Sequence, residues 1–141
     1  MQFFFDTSVL VPVFVEEHPH HEASLAVFLR SDKKRGSCAA HSLAEVYATL
    51  TRLPGKHRAS ASEAMLFLEN MQERLVLIAL DAEEYWRAVM HSAESGIVGG
   101  MIYEALLAHC ALKARAETIF TWNVEHFRRV GPEVAKRIRT P

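Results

Sequence analysis

Asp6, Glu45 and Glu104 are the residues of this chain most able to do chemistry, because each carboxylate stands inside an apolar run. Asp6 follows Phe3-Phe4-Phe5 and precedes Thr7-Ser8-Val9-Leu10. Glu45 lies within Ser42-Leu43-Ala44-Glu45-Val46-Tyr47, and Glu104 within Met101-Ile102-Tyr103-Glu104-Ala105-Leu106. A buried carboxylate is costly without a partner or a metal, and none of these runs contains a basic residue. Three acids gathered in one pocket repel by about 4 kcal/mol per close pair at an effective dielectric of about 20. A hard divalent cation such as Mg²⁺ or Mn²⁺ removes that cost, takes oxygen ligands and keeps several waters. Bound water then becomes a nucleophile, and the cation steadies the charge of a phosphoryl group under attack.

The elements that must position these acids alternate between strand and helix. Gln2 to Phe5 reads as a buried strand and Ser8 to Val15 as a short helix, with Pro12 tolerated near its start. Pro19 to Leu29 has helical spacing, and Gly36 to Ala40 is a second strand. Ser42 caps a helix to Leu53, with Glu45 at the capping-box offset, and Pro54-Gly55 stops it. Ser60 or Ser62 opens a helix whose Ala64, Met65, Phe67, Leu68 and Met71 share a face, more apolar than one domain of this size obviously needs, which points to an interface between copies. Leu75 to Leu80 is a third strand, and Asp81 caps a helix over residues 82–93. Gly99-Gly100 precedes a helix from Met101 to Ala114. Thr118 to Thr121 is a fourth strand, Asn123 to Val130 is helical, and Arg137 to Thr140 adds an edge strand. This alternation predicts an α/β fold, a three-layer sandwich with a mostly parallel central sheet between helices. Ligands bind at the carboxyl ends of such strands, so one rim gathers Asp6, Glu45, Glu104 and the Thr121-Trp122-Asn123 turn.

Composition narrows the class. A chain of 141 residues reads as a single domain spanning 1–141, and a hydrophobic share of 50% excludes a disordered chain. The net charge of −1 gives no global basic field. Cys38 and Cys110 lack metal-type spacing and read as reduced, buried thiols of a cytoplasmic protein. No signal peptide stands at the start, and no uncharged run reaches the ~18 residues of a membrane span. There is no internal repeat, low-complexity segment or linker.

Four segments carry a resemblance that spans nearly the whole chain. They are Phe4-Phe5-Asp6-Thr7-Ser8-Val9-Leu10, Ser42-Leu43-Ala44-Glu45-Val46, Ile102-Tyr103-Glu104-Ala105-Leu106-Leu107-Ala108 and Ile119-Phe120-Thr121-Trp122-Asn123-Val124-Glu125-His126-Phe127. In order and spacing they resemble PIN-domain proteins, and within them the VapC-type toxins of toxin–antitoxin pairs. The resemblance implies a PIN-like fold and an endoribonuclease dependent on Mg²⁺ or Mn²⁺. It also implies RNA as substrate, a cognate antitoxin protein as partner and a homodimer. It makes Asp6, Glu45 and Glu104 the metal-binding acids, completed by Thr121 and Asn123. Two positions depart from the family pattern. Glu104 stands where Asp is usual, which moves the carboxylate outward by about one bond, and Mg²⁺ is strict about geometry. Asn123 stands where many relatives have Asp, so the site carries three acids rather than four.

Other readings of the same residues remain open at this level. Asp6 fits an N-cap, Glu45 a capping box, and Glu104 a first-turn acid favoured by the helix dipole. His18-Pro19-His20-His21 lacks the His-Glu-x-x-His zinc pattern and reads as a solvated helix start. Lys33-Lys34-Arg35, Arg128-Arg129 and Lys136, Arg137 and Arg139 read as solvated basic faces, and Trp122 as core or rim. A phosphorelay receiver would need paired acids after the first strand, and an Asp-x-Asp phosphatase an acid at Ser8; neither is present. The rival of another class is a catalytically silent PIN-like module that only binds RNA or protein.

Overall fold

The computed structural model describes residues 1–141. In chain order the elements begin with β1 (Phe3–Phe5), α1 (Thr7–Phe14), α2 (His21–Leu29), β2 (Gly36–Ala39) and α3 (His41–Leu50). Next come α4 (Ala61–Arg74), β3 (Val76–Ile78), α5 (Ala82–Glu94) and α6 (Met101–Lys113). The chain ends with β4 (Thr118–Phe120), α7 (Val124–Arg128), α8 (Pro132–Ala135) and β5 (Ile138–Arg139). The strands form one sheet in the order β3-β2-β1-β4-β5, and every pairing is parallel. The α/β three-layer fold expected from the alternation of elements is therefore present, and its sheet is parallel throughout. No helix is long and apolar enough to cross a membrane.

Side-chain alternation along β1 creates the layers. Successive strand residues point to opposite faces, so Phe5 and Phe4 serve different cores. Phe5 packs with Val9 and Leu10 of α1, Phe28 of α2, Val46 and Leu50 of α3, and Phe67 and Met71 of α4. Phe4 packs with Ala105, Ala108 and Ala111 of α6, Ile119 of β4, and Phe127 of α7. The alanine-rich face of α6 lets that helix lie close to the sheet. It is preceded by a turn in which Gly99 has φ +63°, a left-handed value that favours glycine. Close approach also explains Gly36: a Cβ there would meet Ser31 Oγ at 2.6 Å and Leu75 Cδ2 at 2.7 Å.

Helix boundaries follow the caps. Ser60 and Glu63 form a capping box on α4, and Asp81 and Glu84 form another on α5, as their spacing predicts. Ser42 behaves differently. The helix α3 begins at His41, its N-cap is Ala40 with no side-chain bond, and Ser42 is buried beside Thr7. Glu45 is therefore not a capping-box residue. Pro12 lies deeper in α1 than expected; the helix ends at Phe14, so the hydrogen bond that proline cannot donate is lost close to the end. The short α8 behind Pro132 has no periodic signal long enough to be read from sequence.

One expectation about surfaces fails. The apolar face of α4 points from its sequence to an interface between copies, yet Ala64, Phe67, Leu68 and Met71 are buried inside this chain. The three layers need that face to cover Phe14 and Phe28. Only Met65 of the group is exposed, at 44%. Met71→Ala should therefore lower the unfolding free energy by about 2–5 kcal/mol, whereas Met65→Ala should stay within about 0.5 kcal/mol. Urea denaturation of the two variants reads the difference, and equal small effects would return this face to the surface.

Candidate active site

The parallel strands place a crevice where the chain changes direction. From β1 the connections run outward through β2 to β3, then cross back to β4 on the other side of β1. The carboxyl ends of β1 and β4 are thus neighbours at a topological switch point, the usual ligand position in open α/β sheets. A cleft of about 520 Å³ opens there, and Asp6, Glu45, Glu104 and Asn123 all line it. Four elements contribute: Asp6 follows β1, Glu45 sits on α3, Glu104 in the first turn of α6, and Asn123 at the N-cap position of α7.

Asp6 is the most constrained of these residues. It occupies the N-cap position of α1 without making a side-chain capping bond. Its carboxylate is instead held from β4. Thr121 Oγ1 donates to Oδ2 at 2.8 Å, and Ser8 Oγ donates to the same oxygen at 2.6 Å. The two hydroxyls in turn accept the backbone N–H groups of Asn123 and Trp122, each at 2.9 Å. Thr121 is fully buried beneath the cleft wall, so it orients Asp6 and the Trp122-Asn123 turn and does not face the cavity. Burial pushes the Asp6 carboxyl up from 3.8 to about 6, although the Ser8 and Thr121 hydrogen bonds oppose that rise. The nearby Glu45 charge raises it further.

Glu45 and Glu104 sit in the same cleft under looser control. Thr7 Oγ1 lies 2.9 Å from Glu45 Oε1 and 2.9 Å from Ser42 Oγ, which ties α3 to the start of α1. Glu104 Oε1 is 3.6 Å from Nδ1 of His126, on α7. The Asn123 side chain is exposed and makes no capping bond. Chemically the donors suit a hard cation: they are oxygens, and a desolvated Asp6 lacks a basic partner. The carboxylates are nonetheless spread along the cleft, and no three His, Cys, Asp or Glu side chains converge on one point as they stand.

Sequence reasoning left out three histidines that the fold brings to this region. His18 and His20 line the cleft itself, so the segment read as a solvated helix start is half-buried beside the acids. His126 borders Glu104. No local spacing signals these meetings, because each joins elements far apart in sequence. The basic runs have the opposite fate. Arg35 pairs through its carbonyl with the residues that begin β1, so Lys33 to Arg35 lie at the amino ends of the strands, away from the cleft. No Lys or Arg lines the cavity.

The raised Asp6 value has a consequence for stability. A carboxyl raised by folding stabilises the fold when protonated, and this contribution is lost as pH climbs from about 4 through about 6. Metal-free protein should therefore gain stability between pH 7.5 and 5, by about 1.4 kcal/mol from this group, roughly half of what the whole shift is worth. Asp6→Asn should remove the gain and raise the melting temperature at pH 7.5. Thermal melts of both proteins in chelator across this range test it, and parallel profiles would refute the buried, uncompensated charge.

Comparison with known proteins identifies the family and the fold. The PIN domain family model matches residues 3–132. Over 114 residues the chain is 36% identical to "Ribonuclease VapC40" of Mycobacterium tuberculosis, covering 81% of both chains. Its fold matches Mycobacterium tuberculosis VapC20, described as a sarcin-ricin loop cleaving toxin, with a TM-score of 0.72 at 12% identity. That match covers 89% of this chain and 92% of the other. VapBC2 from Rickettsia felis, bound to a DNA fragment from its promoter, matches with a TM-score of 0.66 at 17% identity, covering 99% and 98%. A family model that runs from the first strand to α8, with a relative at this identity over four fifths of the chain, shows that the protein belongs to the PIN-domain family.

Proposed function

We propose that this chain is a metal-dependent endoribonuclease, the toxin of a type II toxin–antitoxin pair, formed by one PIN-like domain over residues 1–141. The observation that carries this reading is the convergence of Asp6, Glu45, Glu104 and Asn123 on one cleft at the sheet's switch point. The relative named as a ribonuclease supports RNA as the substrate class. A bound Mg²⁺ or Mn²⁺ supplies an activated water and stabilises negative charge on the phosphoryl group. The roles of the chain's own residues follow from their places. Asp6, locked by Ser8 and Thr121, offers the most rigid carboxylate for the ion. Glu45 and Glu104 bring further charge from opposite helices. Asn123, uncharged and free of capping duty, orients water or phosphate, and Thr121 fixes Asp6.

We place the protein in the cytoplasm, with an antitoxin and a second copy of the chain as its protein partners. Its two cysteines are free and buried, and burial pushes the Cys38 thiol up to about 12, which suits a reducing compartment.

Two measurements test the site. Asp6→Asn should cut RNA cleavage at least about 100-fold, since even residues behind a metal's direct ligands are worth that much, while the variant still folds. Wild-type cleavage by that variant would end the assignment. Glu104→Asp separates direct from peripheral roles. The shorter side chain withdraws from His126 and suits near-octahedral Mg²⁺ better. Mn²⁺ affinity should improve by about 1 kcal/mol and cleavage should speed up, as read by isothermal titration beside an RNA-cleavage assay. No change in either quantity would confine the acids at the ion to Asp6 and Glu45.

A further inference from the structure

The cleft has an electrostatic problem that the acids alone do not solve. A phosphodiester must approach three carboxylates in a cavity with no Lys or Arg on its wall. Most polar groups of the wall are already engaged. Ser8 is committed to Asp6, Thr7 to Glu45 and Ser42, and Trp122 Nε1 to Ser24 Oγ at 3.0 Å. Besides Asn123 and the Thr49 hydroxyl, the free donors are the ring nitrogens of His18 and His20.

Both histidines are built into fixed positions. His18 Nδ1 accepts the backbone N–H of His20 at 3.0 Å. The neutral ring must then carry its proton on Nε2, which makes that nitrogen a donor. Burial, with His20 and His21 beside it, holds the His18 imidazole below its ordinary value, so the neutral tautomer prevails near pH 7. The His20 ring lies flat on Trp122, with centroids 3.6 Å apart and planes 10° from parallel. Trp122 is itself anchored on the fully buried Ser24. Next in sequence, His21 Nδ1 donates to the Pro12 carbonyl at 2.7 Å, which ties the segment to α1. A segment pinned at these points keeps its donors in place and loses little entropy on binding.

We propose that His18 and His20 bind a phosphate oxygen of the RNA strand in this cleft, His18 through Nε2–H and His20 through a ring nitrogen held by the stack on Trp122. This rests on the reading of the cleft as an RNA-cleaving site. Hydrogen bonds to a charged oxygen of this kind are worth roughly tenfold or more in affinity.

The test is steady-state cleavage of a short single-stranded RNA in Mn²⁺ by wild type, His18→Ala, His18→Gln, His20→Ala and His20→Phe. KM should rise about tenfold in His18→Ala, His20→Ala and His20→Phe, with kcat within about threefold of wild type. His18→Gln should recover most of the loss, because its amide nitrogen reaches close to the Nε2 position. Mn²⁺ affinity should not move, and His20→Phe, which keeps the stack, should melt with wild type, which separates substrate binding from metal binding and from folding. An unchanged KM in both alanine variants would overturn the proposal. Wild-type behaviour in His20→Phe would overturn it for His20, since phenylalanine keeps the stack and removes the nitrogen. A wild-type protein that cuts no RNA would count against the nuclease reading instead. Fluorescence anisotropy of labelled RNA on wild type and the alanine variants then decides this proposal: equal affinities overturn it, and affinities about tenfold weaker support it.

Discussion

The architecture of this protein depends on keeping one carboxylate, Asp6, at 1% exposure with no cation beside it. Taking a carboxylate out of water is expensive, and hydroxyl donors return only part of the cost. The sequence answers with two hydroxyls on one oxygen, each of which also accepts a backbone N–H from the turn after β4. Without that turn at that height, Asp6 would lose the Thr121 bond and the charge would stand against apolar neighbours. The parallel pairing of β1 with β4, Phe5 opposite Phe120, sets the height.

This arrangement explains why the site is rigid on one side and adjustable on the other. Asp6, Ser8, Thr121 and the Trp122-Asn123 backbone form a closed network at the sheet. Glu45 and Glu104 come from helices on opposite faces of that sheet and are tethered only by Thr7 and His126. Glu45 and Glu104 each have a single tether where Asp6 has two hydroxyl donors on one oxygen. The most tightly held acid is also the one whose charge burial makes most costly.

The two cores do different work around this centre. On the side of Phe5, large aromatic and branched residues of α1 to α4 fill the layer and carry the helix that bears Glu45. On the side of Phe4, alanines on α6 bring a helix close to the sheet, so that its first turn delivers Glu104 to the rim. The exposed side chains Tyr85, Trp86 and Met90 lie on α5, outside both cores. The apolar stripe of α4, by contrast, is consumed by the interior.

Much of this was legible in the chain, for local reasons. Apolar runs, Pro54-Gly55, Gly99-Gly100 and the two capping boxes are short-range signals that mark elements, and strands alternating with helices leave few topologies but a parallel sheet. The motifs around Asp6, Glu45, Glu104 and Thr121-Trp122-Asn123 likewise stand in recognisable surroundings. Tertiary structure decided what long-range contact alone can decide. Ser42 looks like a cap but lies against Thr7, 35 residues earlier. The apolar face of α4 looks like an interface but is covered by Phe14 and Phe28. Histidines 18 and 20 look solvated but line the same cleft as the acids, one of them stacked on Trp122, about a hundred residues away. Sequence spacing reports which residues share an element, because helix and strand periods are local. It is silent on which elements meet, because that is fixed by the order of strands in the sheet and by the volume each core must fill.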